Sequence, residues 1–492
     1  MPVALEQLWH GRYDWGLLTD PEPELHGQRC YLPRGRVLGG SSSLNAMLYI
    51  RGNRADYDAW AARKLEGWGY ADVLPYFRVS EDNERGESIY HGVGGPLSVS
   101  EGRSRHPYAA AMIEAAVAAG IGVNEDHNGE RQEGVGWFQV TQRSGRRCSA
   151  AAAYLSDVGT NVEVMTETLV SRVLIERGRA VGVELLGDAG GSGATRLIRA
   201  DREVILCAGA YHSPQLLMLS GIGPADDLRK LGIDVVADLP VGRNLQDHPV
   251  ATLAWLAYGE SLASAMTEAN LELFEREGRG PLTSTVVEAG AFVHTRAGLA
   301  APDIQLHFFP VALPDSHFGP PVDDHGLTIG PTLLRPTSRG CVTLRNALPY
   351  AKPRIVHNYL ATEEDRHCLV EGVRVALDVA AQEPLRAMIR DESAAPASTS
   401  EAHVMELIRQ RTQTIFHPVG TCAMGTVLDS SLRVLGVAGL RVVDASVMPT
   451  IPSGNTNAPT IMIAEKGADM IRERPPLPTA ELRVSGMPAG AD

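Results

Sequence analysis

The clearest pattern along the chain is a short apolar run that leads into a glycine-rich turn, and it occurs three times. The three segments lie at residues 32–49, 203–223 and 440–471. In α/β proteins, buried strands end in turns of this kind, and ligands bind at those strand ends. The pattern therefore predicts an α/β fold in which a small molecule is held where several strands end.

The second segment predicts three elements in succession. Residues 204–207 are apolar and predict a strand, Gly209 predicts a turn, and the residues after Ser213 predict a helix. In the third segment, a strand is predicted to end at Asp444 and a helix to open at Asn457. Asn is a favoured N-cap, and the proline two residues later falls in the first turn, where a missing N–H costs least.

The region between these segments has a different pattern. From about residue 249 to 421, segments of alternating polarity such as DIQLHFFPV and RGCVTLRN predict a mostly antiparallel sheet. A helix is predicted over residues 363–381. We expect this middle part to face the substrate, inserted between parts that bind a nucleotide.

These patterns give a provisional domain organisation. Proline, glycine and alanine dominate the chain from about residue 475, which is typical of disorder. The expected units are an N-terminal half at 1–249, a substrate-facing region at 250–334, a C-terminal half at 335–471, and a disordered tail at 472–492.

Composition narrows the possible functions. The 492 residues are 44% apolar and 21% charged, with a net charge of -14, which argues against a nucleic-acid partner. The six cysteines are scattered without C-x-x-C pairs, so we expect reduced thiols and no metal site. No apolar run is long enough to cross a bilayer, and the first residues do not resemble a signal peptide. We therefore expect a soluble, cytoplasmic protein that acts on a small molecule.

Three motifs then point to one family. The stretch GRVLGGSSSLNAMLYIRGN, followed by GAYHSPQLLMLSGIG, resembles the two signatures of the glucose-methanol-choline (GMC) flavoenzymes. A third stretch, FHPVGTCAMG with VVDASVMPTIPSGNTNAPTIMIAEKGADMI, resembles the catalytic segment of that family. The resemblance extends from Tyr13 to Ile471, and the wording of the motifs is nearest to choline-dehydrogenase-like members.

The resemblance implies an FAD-binding, Rossmann-like parallel sheet with an antiparallel-sheet substrate domain. Bare backbone and small hydroxyl side chains would lie against the cofactor, where larger side chains would not fit. Leu44 occupies the position at which several family members carry FAD covalently on a histidine, so bound but non-covalent FAD is expected. The residues that the resemblance places at the cofactor are Gly39, Gly40, Ser41, Asn45, Ala46, Val170, Asp444 and Ala445.

The resemblance also implies the catalytic residues. Alcohol oxidation needs a base within hydrogen-bond reach of the substrate hydroxyl, and His417 in FHPVGTCAMG matches the catalytic histidine of the family. Asn457 is taken as the partner whose amide holds the substrate oxygen. His248 and His307 are expected to be structural or to line the pocket.

One departure from the family pattern stands out. Family members open with a strand, a G-x-G-x-x-G turn, a helix and a second strand with an acidic end, and Met1 falls after that unit. The unit supplies a helix N-terminus for the pyrophosphate and an acid for the ribose. We expect that the natural start lies upstream, because the catalytic segment shows no decay; a truncated chain that binds FAD weakly is the alternative.

The expected function is FAD-dependent oxidation of an alcohol to an aldehyde or ketone. The partners would be a small alcohol and an electron acceptor, either oxygen or a quinone-like compound. Two alternatives remain open. The missing unit would suit a non-catalytic paralogue, and the fold also allows a flavin-containing lyase, since fold alone does not determine function.

Overall fold

The computed structural model describes residues 1–186, 195–313, 322, 324–391 and 398–482. The helices are α1 Arg54–Ala62, α2 Tyr70–Ser80, α3 Pro107–Ala118, α4 Ala150–Tyr154, α5 Gly209–Leu219, α6 Ala225–Lys230, α7 Glu268–Glu277, α8 Glu363–Ala380, α9 Leu385–Met388, α10 Glu401–Arg411 and α11 Asn457–Ile471. In the described part of the chain, no helix has the length and apolarity needed to cross a membrane.

The strands are mostly short. In chain order they are β1 Leu17–Leu18, β2 Tyr31–Leu32, β3 Glu81–Asn83, β4 Leu97–Glu101, β5 Gly134–Trp137, β6 Gln139–Val140, β7 Gln142–Arg143, β8 Arg146–Arg147, β9 Val170–Glu176, β10 Arg179–Leu185, β11 Arg196–Arg199, β12 Val204–Leu206, β13 Ile222–Gly223, β14 Ala237–Asp238, β15 Pro249–Ala251, β16 Leu253–Leu256, β17 Ala289–Val293, β18 Ile304–Phe309, β19 Gly326–Leu333, β20 Cys341–Thr343, β21 Arg354–Val356, β22 Thr412–Thr414 and β23 Leu440–Val442.

The largest sheet has seven strands, most of them from the middle of the chain. Its strands run in the order β22-β15-β19-β18-β17-β5, with β16 also paired to β19, and every pairing is antiparallel. The expected antiparallel sheet is therefore present, although β5 joins it from far upstream. The alternation of polar and apolar residues that predicted this sheet does not match its burial. Strands β17 and β19 are buried at every position, because both faces of the sheet are covered.

The predicted segment RGCVTLRN lies elsewhere. Its strand β20 pairs only with β21 in a separate two-stranded sheet. Helix α8 covers the large sheet and packs close to it at Gly372, where a Cβ would lie 2.8 Å from Cδ1 of Ile304. The predicted helix 363–381 is thus confirmed to within one residue.

Strands β12 and β23 form one of the parallel pairs of the fold. Their register places Val204 opposite Leu440 and Leu206 opposite Val442. The two strands end side by side, so the turn after β12 and the turn after β23 open to the same edge. This edge is where the second and third sequence segments meet.

Helix α5 begins earlier than predicted. It starts at Gly209, in a left-handed conformation with φ +79°, and Pro214 lies inside it rather than at its start. Proline has no N–H, so the carbonyl of Ala210 loses its helical partner. The hydroxyl of Thr421 donates to that carbonyl at 2.6 Å. This bond from a distant segment allows the helix to continue through the proline.

The C-terminal helix and tail also differ from expectation. Asn457 is the first residue of α11, and Thr456 occupies the N-cap position. Beyond α11, the N–H of Leu477 donates to the hydroxyl of Tyr76 at 3.1 Å, and the N–H of Ala480 donates to the carbonyl of Ala71 at 2.9 Å. Residues 475–482 therefore pack against α2, whereas the sequence predicted disorder; residues 483–492 lie outside the described residues.

Replacing Thr421 by valine should destabilise the fold. Valine keeps the shape but leaves the buried carbonyl of Ala210 without a donor, a loss of about 1–3 kcal/mol. The free energy of unfolding, measured from urea denaturation, checks this. Thr421→Ser is the matched control, because it keeps the hydroxyl, and it should retain more stability than the valine variant. Equal midpoints for Thr421→Val and the unchanged protein would contradict the role given to this bond.

Candidate active site

A cavity of about 1690 Å³ opens between the glycine-rich turn, the ends of β12 and β23, and one face of the large sheet. Its lining combines bare backbone, apolar side chains and a few polar groups, as expected of a cofactor and substrate site. The structure brings all ten predicted site residues to this cavity: Gly39, Gly40, Ser41, Asn45, Ala46, Val170, His417, Asp444, Ala445 and Asn457.

The glycine-rich turn is held in a shape that excludes side chains. Gly39 and Gly40 both have positive φ, +84° and +54°. A Cβ on Gly39 would lie 2.6 Å from Oγ of Ser43, whereas one on Gly40 would meet no protein atom within 4 Å. Gly35 must also lack a side chain, because its Cβ would lie 2.2 Å from the carbonyl oxygen of Gly40. The turn thus presents bare backbone to the cavity.

Arg147 supports this turn from behind, and the sequence analysis did not single it out. Its Nη1 donates to the carbonyls of Ser42 at 3.1 Å and Asn45 at 2.6 Å, and to Oδ1 of Asn45 at 2.8 Å. Burial lowers the pKa of Arg147 to about 10, so it stays charged at neutral pH. The only sequence signal for Arg147 is the Arg-x-Ser-Ala segment at the start of α4, and that segment by itself does not indicate a functional residue.

Asp444 organises the edge where β12 and β23 end. Its Oδ2 accepts from the N–H of Gly209 at 2.9 Å and from the hydroxyl of Ser213 at 2.5 Å, and its Oδ1 accepts from the N–H of Ser446 at 2.8 Å. The carboxylate is therefore committed to the two turns beside the cavity, and it sets the position of Ala445. Val170, at the start of β9, lines the same cavity.

His417 lies just after β22, with its ring in the cavity wall. Its main-chain N–H donates to Oδ1 of Asp247 at 2.7 Å. Its Nδ1 lies 3.0 Å from Nδ1 of His248, and its Nε2 lies 3.2 Å from Nδ2 of Asn455. Arg34 donates to the carbonyl of Phe416 at 2.8 Å, next to the histidine. These contacts hold the imidazole in one orientation.

The environment keeps His417 neutral. Burial lowers its pKa well below the ordinary value, and the nearby His248, His307 and Arg34 lower it further. Burial likewise lowers the pKa of His248 to about 4. Both rings are thus uncharged at neutral pH, so each carries one proton.

The hydrogen bonds of these two rings determine where each proton lies. Nε2 of His248 is 3.0 Å from the carbonyl oxygen of Leu334, which can only accept, so this nitrogen carries the proton. Nδ1 of His248 is then bare and accepts from Nδ1–H of His417. Nε2 of His417 is consequently the bare nitrogen, and the amide group facing it must be the NH₂ of Asn455.

Asn455, not Asn457, is the asparagine that contacts His417. Asn457 lines the cavity as the first residue of α11, whereas Asn455 lies in the turn before the helix. The sequence analysis took Asn457 as the partner of His417 from its match to the family position, whereas the asparagine beside His417 in the structure is the earlier one in S-G-N-T-N. The Oδ1 of Asn455 is buried and has no hydrogen-bond partner among the described residues.

The turn that carries Asn455 is anchored from the N-terminal half. Asp56 in α1 accepts from the N–H of Ser453 at 2.7 Å and from its hydroxyl at 2.9 Å. Gly454 has φ +156°, and a Cβ there would lie 2.4 Å from Cγ2 of Ile50. The amide of Asn455 is therefore set at His417 by packing on both sides.

The other two histidines have different positions. His307 lines the cavity as expected, with Nδ1 2.9 Å from the hydroxyl of Thr332. His248 lies behind His417, in direct contact with its ring, which the sequence analysis missed. The sequence signal for His248 was weak, since GRNLQDHP has no spacing that relates it to a residue 169 positions away.

Comparison with known proteins identifies the family. Residues 19–250 match the N-terminal model of the family described as GMC oxidoreductase, and residues 336–464 match its C-terminal model. Together these segments cover more than half of the chain. The chain belongs to the GMC oxidoreductase family.

Individual relatives agree with this assignment. Mitochondrial choline dehydrogenase of Mus musculus is 44% identical, over 97% of this chain and 82% of that protein. The structure of pyridoxine 4-oxidase from Mesorbium loti matches with a TM-score of 0.87 and 31% identity, over 96% of this chain and 91% of that one. A formate oxidase of Aspergillus oryzae RIB40, studied for its FAD modification, matches with a TM-score of 0.87 and 28% identity, over 96% and 90%.

These findings confirm the expected α/β fold, the oxidoreductase class and FAD as the cofactor. The residues present fit such a group. The cavity wall at Gly40 is open where a side chain would otherwise project, and Gly209, at the start of α5, also meets no protein atom within 4 Å of a Cβ position. Bare backbone at two adjacent turns suits close approach by a phosphate or a flat ring.

Gly35→Ala should damage the cofactor site. The added methyl would overlap the backbone of Gly40, so the glycine-rich turn must move, at a cost of about 1–3 kcal/mol. The fraction of FAD retained after extensive dialysis, read from the visible spectrum, should fall. Gly122→Ala is the matched control, because a Cβ there meets nothing within 4 Å. Equal FAD retention in both variants would show that the turn tolerates displacement.

Proposed function

We propose that the chain oxidises the hydroxyl group of a small alcohol to an aldehyde or ketone, with His417 as the base. The single observation that carries this proposal is the bare Nε2 of His417, which meets the amide of Asn455 in the wall of the cavity. A neutral imidazole at neutral pH can take the hydroxyl proton at that atom. When bound, FAD supplies the acceptor for the hydride on the carbinol carbon.

Asn455 would hold the substrate oxygen. Its NH₂ lies 3.2 Å from Nε2 of His417, so its N–H groups can donate to the oxygen of a hydroxyl group whose hydrogen is directed at Nε2. As the hydroxyl loses its proton, the oxygen gains negative charge, and the N–H groups of Asn455 stabilise that charge. We assign to Asn455 the role that the sequence analysis gave to Asn457.

The remaining predicted residues would hold the cofactor. Gly39, Gly40 and Ser41 offer bare backbone and a hydroxyl, and Asn45 is fastened by Arg147. Ala46, Val170, Asp444 and Ala445 line the same cavity, as does Leu44. A leucine side chain cannot form a bond to a flavin, so retention of FAD would be non-covalent. Helix α11 opens at the cavity, and its positive end favours negative charge there.

Choline is a reasonable first substrate to test. The mouse relative is named a choline dehydrogenase, and the solved relative from Mesorbium loti is named a pyridoxine oxidase. Both names refer to compounds that carry a hydroxyl group. We propose that this chain acts on a primary alcohol of comparable size, with oxygen or a quinone-like compound as the electron acceptor.

The test is a visible spectrum of the FAD-loaded protein under anaerobic conditions, before and after addition of primary alcohols including choline. Bleaching of the flavin bands is expected. His417→Ala should keep its FAD while the rate of bleaching falls by about 10²–10⁴-fold, the usual contribution of a general base. His403→Ala, at an exposed histidine, is the matched control. Stable flavin bands with every alcohol would refute the proposed function.

The two asparagines should differ in their effect on the rate. Asn455→Ala removes a hydrogen bond to a developing charge, so flavin reduction at saturating alcohol should slow by about 10–100-fold. Asn457→Ala should slow it by less than about threefold, since it leaves that bond in place. Rapid-mixing measurement of both variants checks the assignment. The reverse order would restore Asn457 as the partner.

A further inference from the structure

His248 is a buried ring for which the mechanism above has no use. It is fully buried, it precedes β15, and it lies on the side of His417 away from the cavity. Its two nitrogens have partners at 3.0 Å each, His417 on one side and the carbonyl of Leu334 on the other. A histidine that merely filled the core would not need to share a proton with the ring that faces the substrate.

The geometry forms a continuous line of hydrogen bonds. It runs from the bare Nε2 of His417, across that ring to Nδ1–H, on to the bare Nδ1 of His248, and across the second ring to the carbonyl of Leu334. Each ring has a donor on one side and an acceptor on the other, and all the acceptors face the same way. A proton that enters at one end can therefore displace a proton towards the other end.

We propose that His417 and His248 act as a two-imidazole proton relay, with His248 as a positioning residue that works through His417. The O–H bond of the substrate breaks as the Nε2–H bond of His417 forms. At the same time, Nδ1–H of His417 breaks and Nδ1–H of His248 forms. His417 ends neutral, and the single positive charge rests on His248, balanced by the negative charge on the substrate oxygen. The relay rests on the proposed function.

The surroundings favour charge on His248 over charge on His417. The pKa of His417 is lowered by burial, His248, His307 and Arg34. The pKa of His248 is also lowered by burial, but the carboxylate of Asp247 and the carbonyls of Leu334 and Pro452 raise it. A protonated His248 would keep its Nε2–H bond to Leu334 and gain a second N–H towards His417. The proton on Nδ1 of His417 thus moves towards His248, on the side where the Asp247 carboxylate and the two carbonyl groups lie.

Asp247 keeps the two rings at a constant separation. Its Oδ1 accepts the main-chain N–H of His248 at 2.9 Å and that of His417 at 2.7 Å. Its Oδ2 accepts the hydroxyl of Tyr359 at 2.6 Å and the hydroxyl of Thr414. One carboxylate therefore joins the backbones of both relay members, which a relay across 3.0 Å requires.

Two variants separate the functions of His248. In His248→Asn, the side-chain Oδ1 stands near the former Nδ1, so it still accepts from His417 but cannot take the proton. In His248→Phe, the ring volume is kept and the acceptor is lost. Both variants leave the carbonyl of Leu334 without its donor, so they match in that respect.

The experiment measures anaerobic flavin reduction by the fastest alcohol of the panel, in mixtures of H₂O and D₂O. If two protons move in the same step, each contributes its own isotope effect to the rate. A plot of the reduction rate of the unchanged protein against the D₂O fraction should therefore be curved. His248→Phe should be about a hundredfold slower, at the lower end of the usual contribution of acid–base catalysis, and His248→Asn about tenfold slower with a straight-line dependence, because it keeps the acceptor for His417. The dissociation constant of the alcohol should change by less than about twofold, because His248 does not touch it.

The outcomes are distinct. The relay is overturned if the reduction rate of the unchanged protein varies linearly with the D₂O fraction or does not vary at all. It is also overturned if His248→Asn reduces the flavin at an unchanged rate. If the variants do not fold, the dependence in the unchanged protein decides alone. If no alcohol reduces the flavin, the proposed function fails and the relay fails with it, whereas reduction with a straight dependence removes only the relay.

Discussion

The site depends on the hydrogen bonds that the buried carboxylate of Asp247 accepts. One of its oxygens binds the main-chain N–H groups of His248 and His417, which lie 169 residues apart, and the other binds the hydroxyls of Tyr359 and Thr414. Burying a carboxylate costs free energy unless its oxygens accept hydrogen bonds. The fold therefore needs all four donors around Asp247, and each buried donor needs the carboxylate as its acceptor. Loss of any of these four donors would loosen the orientation of His417.

A second buried carboxylate performs the same task on the other side of the site. Asp56 in α1 binds the N–H and hydroxyl of Ser453, two residues before Asn455. His417 and Asn455 therefore both stand on C-terminal segments, and both segments are tied by carboxylates on earlier parts of the chain. Neither side chain needs to search for its position when a substrate arrives, which is the physical meaning of a preorganised site.

Much of this could be predicted from the sequence, because the relevant signals are local. The apolar runs before Gly209 and Asp444 predicted the ends of two strands. The turn at Gly39 and Gly40 needs positive φ values, which few residues other than glycine adopt. The motif around His417 led to the proposal of this residue as the base, through a family resemblance.

The remainder depends on distant contacts that no local pattern carries. Helix α5 continues through Pro214 only because Thr421 supplies a donor from elsewhere in the chain. Asn455 and Asn457 are indistinguishable until the first residue of α11 is known, since either could precede a helix. His248 is assigned by one ring-to-ring distance, and Arg147 by three bonds to a turn about a hundred residues earlier.

The strand order of the large sheet has a consequence for how the molecule folds. Strand β5 lies at one end of that order and β22 at the other, so the sheet joins residues 134–137 with residues 412–414. Contacts between such distant segments form late, because the intervening chain must first lose its freedom. During synthesis, the imidazole of His417 emerges after every strand of the sheet beside which it must pack. The chemistry of this chain therefore becomes available only when folding is nearly complete, and a partly folded molecule would hold no aligned base.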